Sequence, residues 1–231
     1  MIDIHCHILP GVDDGPQHLN SALTMARVAA EDGISTIIAT PHTDGIRVNR
    51  NLVEDKVLIL NNELASNQIA LKIVPGYEIP YHLVPDLAKS HTLVNSNYIL
   101  IEFPHTYLPR DALGTVYSLV DQGLQPIIAH PERNGGILQD PGQMEDLIAA
   151  GALSQLTASS VTGEQGPDVQ RCANYLLVNN MAHFIATDSH SPSFRIPVLS
   201  KAHAIAVKLL GKTQADYLTI GNPEKILQVH N

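Results

Sequence analysis

The chain has 231 residues and a mass of 25.0 kDa, enough for one sizeable core, and barrels of this length commonly fold as one unit, so a single domain over 1–231 is expected. Its composition, 44% hydrophobic and 16% charged with no low-complexity tract, excludes a disordered or fibrous protein. The net charge of −9 argues against a nucleic-acid partner, because backbone affinity rests on clustered Lys and Arg, although bound cations would make one cleft locally positive and keep phosphates admissible.

Short apolar runs alternate with helical patterns from end to end, the signature of βα units and a parallel sheet or barrel. Ile2 to His7 reads as a strand in which Asp3, His5 and His7 share one face while Ile2, Ile4 and Cys6 share the other. Asn20 or Ser21 caps a helix running through Ala30 and ended by Gly33. Ser35 to Ala39 is a buried strand running into TPHTDG, followed by a helix from about Asn51 to Asn67. LKIV and YILI form the next strands, entering GYEIP and IEFPH. Asp111 to Gly123 is a helix with an Asp N-cap, and Gln125 to Ala129 a strand ending in HPER. A helix over Pro141 to Ala150, a strand over Leu153 to Leu156 and a helix from about Asp168 to Asn179 precede the strand HFIA, which ends in TDSH. The tail from Val198 is helical, with breaks at Gly211 and at Gly221 to Pro223. Seven strands result.

No leader with a basic start and apolar run is visible, and no stretch approaches a ~20-residue apolar span, so a cytoplasmic protein without membrane insertion is expected. Cys6 and Cys172 make no disulfide framework. Val12 and Val178 stand six positions beyond them, where a thiolate-dependent phosphatase needs Arg.

The metal-competent residues fall in one pattern. His5 and His7 end the first strand, His42 follows the second, Glu78 the third, Glu102 the fourth, His130 the fifth, and Asp188 with His190 the seventh. In an α/β barrel the carboxyl ends of the strands form one face, where catalytic sites are built. Asp13 and Asp14 add oxygen donors after His7. Of the remaining histidines, His18, His82, His91, His183, His203 and His230 read as solvated or hydrogen-bonded, and His105 is notable for lying three residues from Glu102. Five imidazoles with Asp14, Glu78, Glu102 and Asp188 exceed one tetrahedral ion, so two or three ions with bridging carboxylates fit better. A His and carboxylate set without thiolate leans to Mn or Fe over structural Zn. Such a site serves phosphoester or amide hydrolysis. Arg133 and Arg195 tilt the reading to phosphate, since each can fork onto phosphate oxygens. Asp3 is expected to accept from the imidazole of His5 or His7.

Taken together, IDIHCHILPGVDDG, TPHTDG, GYEIP, IEFPH, IAHPER and IATDSH resemble the PHP (polymerase and histidinol phosphatase) superfamily, and within it the bacterial manganese-dependent protein-tyrosine phosphatases of capsule and exopolysaccharide machinery. The resemblance spans about residues 1 to 197. It implies a distorted (β/α)7 barrel with three divalent ions, Mn by preference with Fe or Zn as alternatives. It also implies hydrolysis of phosphotyrosine on a partner bacterial tyrosine kinase by attack of metal-bound hydroxide. By position, His5, His7, Glu78 and Asp188 correspond to one ion's ligands, with Glu78 bridging to an ion held by Glu102 and His130, and Asp14, His42 and His190 hold the third. Arg133 and Arg195 correspond to the phosphate-binding arginines and count, with His42, as the catalytic groups. TDSH replaces the commoner Ser-Asp-Ala-His and keeps both ligands, while the loop from Thr43 to Arg50 shapes substrate access. The nearest rival is a small-metabolite phosphoesterase of the histidinol-phosphate kind. An amidohydrolase-type barrel would want an Asp after an eighth strand, and a non-catalytic metal-stabilised binding module would show no turnover. Oligomeric state stays open.

Overall fold

β-Branched and aliphatic runs form parallel strands, and the segments between them helices, in the computed structural model, which describes residues 1–228. His230 lies outside the described residues. The strands are β1 (Ile2–Cys6), β2 (Thr36–Ala39), β3 (Lys72–Pro75), β4 (Glu78–Pro80), β5 (Tyr98–Glu102), β6 (Gln125–Ala129), β7 (Leu153–Thr157) and β8 (Phe184–Ala186). The principal helices are α1 (Leu19–Glu31), α2 (Arg50–Ser66), a single turn α3 (Val84–Leu87), α4 (Ala112–Asp121), short α5 (Gly135–Gln139), α6 (Gln143–Ala149), short α7 (Ala158–Thr162) and α8 (Pro167–Val178). The tail carries α9 (Ser200–Leu210), α10 (Lys212–Asp216) and α11 (Asn222–Gln228). Among these, α3, α5 and α7 have no clear signal in the sequence, each being too short to show a helical period.

The strands pair in the orders β1-β2-β3 and β4-β5-β6-β7-β8, all in parallel. β3 and β4 are halves of one stave broken at Gly76 and Tyr77, the first half bonded to β2 and the second to β5. The eight segments therefore make seven staves, as the alternation predicts. The break is bridged where Thr43 N–H donates to Glu78 C=O (3.3 Å) and Glu78 N–H to Pro41 C=O (3.2 Å). The last stave meets the first through Asp188 N–H to His5 C=O (2.8 Å) and His7 N–H to Ser189 C=O (2.9 Å). This is a distorted (β/α)7 barrel. Glu78 thus opens β4, rather than following the end of a strand.

β1 departs from simple alternation. Its pairing with β2 shifts register between Asp3 and Cys6, a bulge that inserts one residue. Ile2 and Ile4 pack with Ile38, Val74, Leu100, Ile127 and Phe184, whereas Cys6 packs among the residues under the helices. The histidines and Cys6 still point apart, but Ile4 does not share the face of Cys6. Ile226 of α11 and Leu93 join the cluster containing Ile2, Tyr98 and Leu153, which begin β1, β5 and β7, and so close the amino-terminal end of the barrel.

Helix ends also differ from expectation. α1 begins at Leu19 with His18 at its N-cap and no side-chain cap, and Asp111 caps α4 by position but without a side-chain bond. Asn49 does cap α2, accepting from Leu52 N–H at 3.1 Å. Gly211 breaks the tail as expected, but 221–223 does not: a π turn over Tyr217–Gly221 runs straight into α11, which carries Pro223 as its second residue. No described helix is long and apolar enough to cross a membrane.

The start of α9 is capped from outside its own segment. Asp32, just after α1, accepts from Leu199 N–H (2.7 Å), Ser200 N–H (2.9 Å) and the Ser200 hydroxyl. Asp32→Ala removes this cap and should lower stability by about 1 kcal/mol, read as a reduced melting temperature of the full-length protein.

Candidate metal centre

Six of the seven staves deliver donors to one cluster at their carboxyl side. His5 and His7 come from the bulged end of β1, Asp14 from the loop beyond it, His42 from the β2 loop and Glu78 from the broken stave. Glu102 ends β5, His130 follows β6, and Asp188 and His190 follow β8. These nine residues fall in four overlapping groups, whereas Asp13, also read as an oxygen donor, lies outside them. His7, Asp14, His42 and His190 form one, and His5, His130 and Asp188 another. The remaining two are His5, His7 and Glu78, and His42, Glu78 and Glu102. Against the grouping implied by the family motifs, His130 stands with His5 and Asp188, and His7 also reaches the group of Asp14.

Glu78 is the hub. Its Oε1 lies 3.1 Å from His130 Nε2 and 3.4 Å from His5 Nε2, and its Oε2 lies 3.0 Å from His42 Nδ1 and 3.3 Å from His7 Nε2. Burial alone would raise its pKa, but the imidazoles of His5, His130 and His42 outweigh it and hold the carboxyl well below the usual range. Glu102 is pushed up to about 7, first by burial and then by the charge of Glu78. Negative charge therefore concentrates on Glu78. Asp188, 3.4 Å from His5 Nε2, is likewise held low, as His5, His130 and Arg195 overcome its burial.

The tautomers of the first two histidines follow from their outer partners. His7 Nδ1 lies 2.6 Å from Asp13 Oδ2, and a carboxylate there takes the N–H from that nitrogen. His5 Nδ1 lies 2.8 Å from Gln155 Oε1. Both Nε2 atoms are thereby left as acceptors, and they face each other at 3.2 Å. Two lone pairs held at that distance repel unless a cation or proton lies between them. Burial lowers the proton affinity of both rings, yet Glu78 and Asp188 raise that of His5, and Asp13 and Glu78 raise that of His7 well above normal. The carboxylates that draw protons here draw a divalent ion equally. Burial, reinforced by His7, holds His190 down at about 4, and burial lowers His130, so both offer neutral donor nitrogens. The donor set fits divalent cations.

The outer partners are not those expected. Asp3 does not touch an imidazole: it accepts from Thr187 N–H (2.9 Å) and its hydroxyl and from His5 N–H (3.3 Å), so it holds the β1 bulge to the β8 loop. The bulge turns its side chain away from the rings. Asp13 performs the expected role for His7, and also accepts from His42 N–H at 3.0 Å, tying two ligand loops together. Gln155 on β7 is the partner the sequence did not reveal, since an isolated amide on a strand carries no motif. His105 lies 3.6 Å from Glu102 Oε1 and is mostly exposed. His91, His183 and His203 bond to Ser90, Ser154 and Asp216, away from the cluster.

Arg133 and Arg195 converge on one oxygen. Arg133 Nη1 donates to Asp188 Oδ2 at 2.5 Å, and Arg195 Nη2 donates to the same atom. His130, Asp188 and Arg195 hold left-handed backbone, with φ of 33°, 49° and 54°, a conformation that non-glycine residues keep only where the surroundings enforce it. Three of the seven described non-glycine residues with such backbone thus belong to the site, the others being Gln68, Val94, Asn95 and Asn180. Cys6 and Cys172 are buried and their thiols pushed up by burial, Cys172 to about 12, so neither offers a thiolate.

Fold and cluster together define the class, a (β/α) barrel whose strand ends gather imidazoles and carboxylates suited to divalent cations beside paired arginines. The chain belongs to the family described as capsular polysaccharide synthesis, CpsB/CapC, which it matches over residues 1–228. It is 38% identical to tyrosine-protein phosphatase YwqE of Bacillus subtilis over 99% of this chain and 92% of that protein. It superposes with a TM-score of 0.93 and 38% identity on a crystal structure from work on YwqE of Bacillus subtilis and CpsB of Streptococcus pneumoniae, described as unique metal-dependent tyrosine phosphatases, covering 100% of this chain and 96% of that one. Histidinol phosphate phosphatase of Lactococcus lactis shares the fold alone, at 14% identity and a TM-score of 0.58, covering 95% of this chain and 96% of that one.

Asp13→Asn and Gln155→Ala should each weaken divalent-metal binding about 10- to 100-fold, by loosening the ring that each one orients. Competition against a chromophoric chelator measures the change.

Proposed function

We propose that this chain is a metal-dependent phosphatase that hydrolyses phosphotyrosine on a protein, its partner being a phosphorylated bacterial tyrosine kinase of polysaccharide synthesis met in the cytoplasm. The observation that carries the reading is the pair of arginines fixed at the edge of the donor cluster through Asp188. Membership of the capsular polysaccharide family, and resemblance to proteins named tyrosine phosphatases, support the substrate.

In this reading His5, His7, Asp14, His42, Glu78, Glu102, His130, Asp188 and His190 would hold three divalent ions, Mn before Fe or Zn. Glu78, having an oxygen turned to each side of the cluster, would be the ligand they share. Bound cations supply Lewis-acid neutralisation of the phosphate charge and a nucleophile from water at neutral pH. The protein's own groups do the positioning. Arg133 and Arg195 present guanidinium forks for the phosphate oxygens, and their approach to one carboxylate sets the angle between them. Asp13 and Gln155 fix which nitrogen of His7 and His5 is free, so the donor atoms need no rearrangement when the ester arrives. A tyrosine phenol titrates near ~10, so its oxygen leaves far more readily than an alkoxide and asks less of a general acid.

Metal-replete protein should release phosphate from a phosphotyrosine peptide at least about tenfold more efficiently than from histidinol phosphate; the reverse preference overturns the protein-phosphatase reading in favour of a small-metabolite enzyme. His130→Ala should lose bound metal and activity together, seen by elemental analysis beside the phosphate-release assay, and full turnover in that variant would refute the polynuclear assignment.

A further inference from the structure

The floor of the site is wholly polar: every side chain in the donor cluster is an imidazole, a carboxylate or a guanidinium. It can seize a phosphate but offers nothing to the six-carbon ring of a tyrosyl ester. The apolar surface lies instead in the loops above the strand ends. Ile46 in the β2 loop is 80% exposed, Phe194 in the β8 loop 74% and Tyr107 in the β5 loop 57%. β2 and β8 are the two neighbours of β1, whose end carries His5 and His7, and β5 stands across the barrel. The loops carrying the three side chains therefore rise from three sides of the barrel's carboxyl end, Tyr107 there lining a groove with Tyr81, His82 and Arg110.

None of the three is a loose loop tip. Phe194 directly precedes Arg195, and its loop is stitched to the site by the Ser189 hydroxyl donating to Arg195 C=O (2.5 Å) and His190 N–H donating to the same carbonyl (3.2 Å). Ser191 Oγ accepts from the backbone of Ser193 and Phe194 at 3.2 and 3.3 Å. The Ile46 loop begins one residue after His42 and is wound around Asp44, which accepts from Ile46, Arg47 and Val48 N–H groups at 3.0, 2.7 and 3.0 Å. The Tyr107 loop is pinned by Asn134, whose amide donates to Pro104 and Tyr107 carbonyls at 2.7 and 2.8 Å. These bonds order the backbone that carries each exposed apolar side chain. Such ordering lowers the entropy lost when a partner lands on them.

We infer that Phe194, with Ile46 and Tyr107, forms an apolar rim that packs on the aromatic ring and neighbouring residues of the phosphotyrosine substrate, so that the floor reads phosphate and the rim reads the aryl group. Phe194 is the central member, because its chain neighbour Arg195 is one of the two arginines proposed to take the phosphate and the ring of a tyrosyl ester begins one oxygen away from phosphorus. Burying an aromatic face against Phe194 gives a preference for aryl over alkyl monoesters that no polar floor group supplies. The inference rests on the proposed tyrosine phosphatase activity and adds the residues that select its substrate.

The test uses full-length, metal-replete protein, a phosphotyrosine peptide as substrate and inorganic phosphate as a ring-free competitive probe. Phe194→Ala should raise KM for the peptide about tenfold with kcat changed less than about twofold, and Ile46→Ala should raise KM less. The inhibition constant for inorganic phosphate should move by less than about twofold, since phosphate touches only the floor. Phe194→Tyr, which keeps the ring, should restore the KM. A peptide KM unchanged in Phe194→Ala, or a phosphate inhibition constant that weakens in parallel with it, overturns the rim while leaving the proposed function in place. Wild-type protein inactive on the peptide overturns both.

Discussion

A fully buried carboxylate, Glu78, is surrounded by the nitrogens of four histidines, and most of the molecule's irregular features serve that arrangement. Burying an ionised carboxylate without partners is prohibitively unfavourable. Here the imidazoles hold it ionised, while the two that face each other through Nε2 are themselves tolerable only with positive charge between them. The cluster is thus built for cations in its donor types, its protonation and its geometry. The surrounding protein holds the rings so that this charge has one place to go.

The barrel is least regular where the donors lie. β1 bulges just before His5 and His7, the third stave breaks just before Glu78, and the last stave meets the first through Asp188 and Ser189, beyond the end of β8. A regular stave would alternate its side chains and spread the donors along the barrel. The bulge and the break bring successive donors to one depth instead. Left-handed backbone at His130, Asp188 and Arg195 is part of the same departure. The opposite end is closed with Ile226, Leu93 and the first residues of three strands, an apolar plug.

Charge is layered outward from this floor. Asp188 faces the imidazoles with one oxygen and both arginines with the other, so the two guanidinium groups are aligned by a residue of the donor cluster. The loops after the strand ends expose Ile46, Tyr107 and Phe194 on hydrogen-bonded backbone. A net charge of −9 says nothing of this local order. Acidic residues on the outside and a cation-binding floor inside are independent features of the chain.

How far the amino-acid sequence alone reaches is set by the range of the interactions. Strand order, the longer helices, seven staves and the convergence of nine histidines and acids were legible, because βα alternation is a local pattern and a barrel sends every strand end to one face. His5, His7, His42 and His130 needed only that rule. What it could not supply was pairing across the chain. Gln155 bonds a histidine 150 residues away, Asp3 turns to Thr187 rather than to an imidazole, and the two arginines share one carboxylate. The bulge in β1, the broken stave at Glu78 and the continuous helical run through Gly221 also had no local signature, each being settled by what packs against it. The sequence by itself determined the kind of donors and the face they occupy. Only the tertiary structure decided which atoms point inward, because tautomer, register and strain depend on neighbours that lie far apart along the chain.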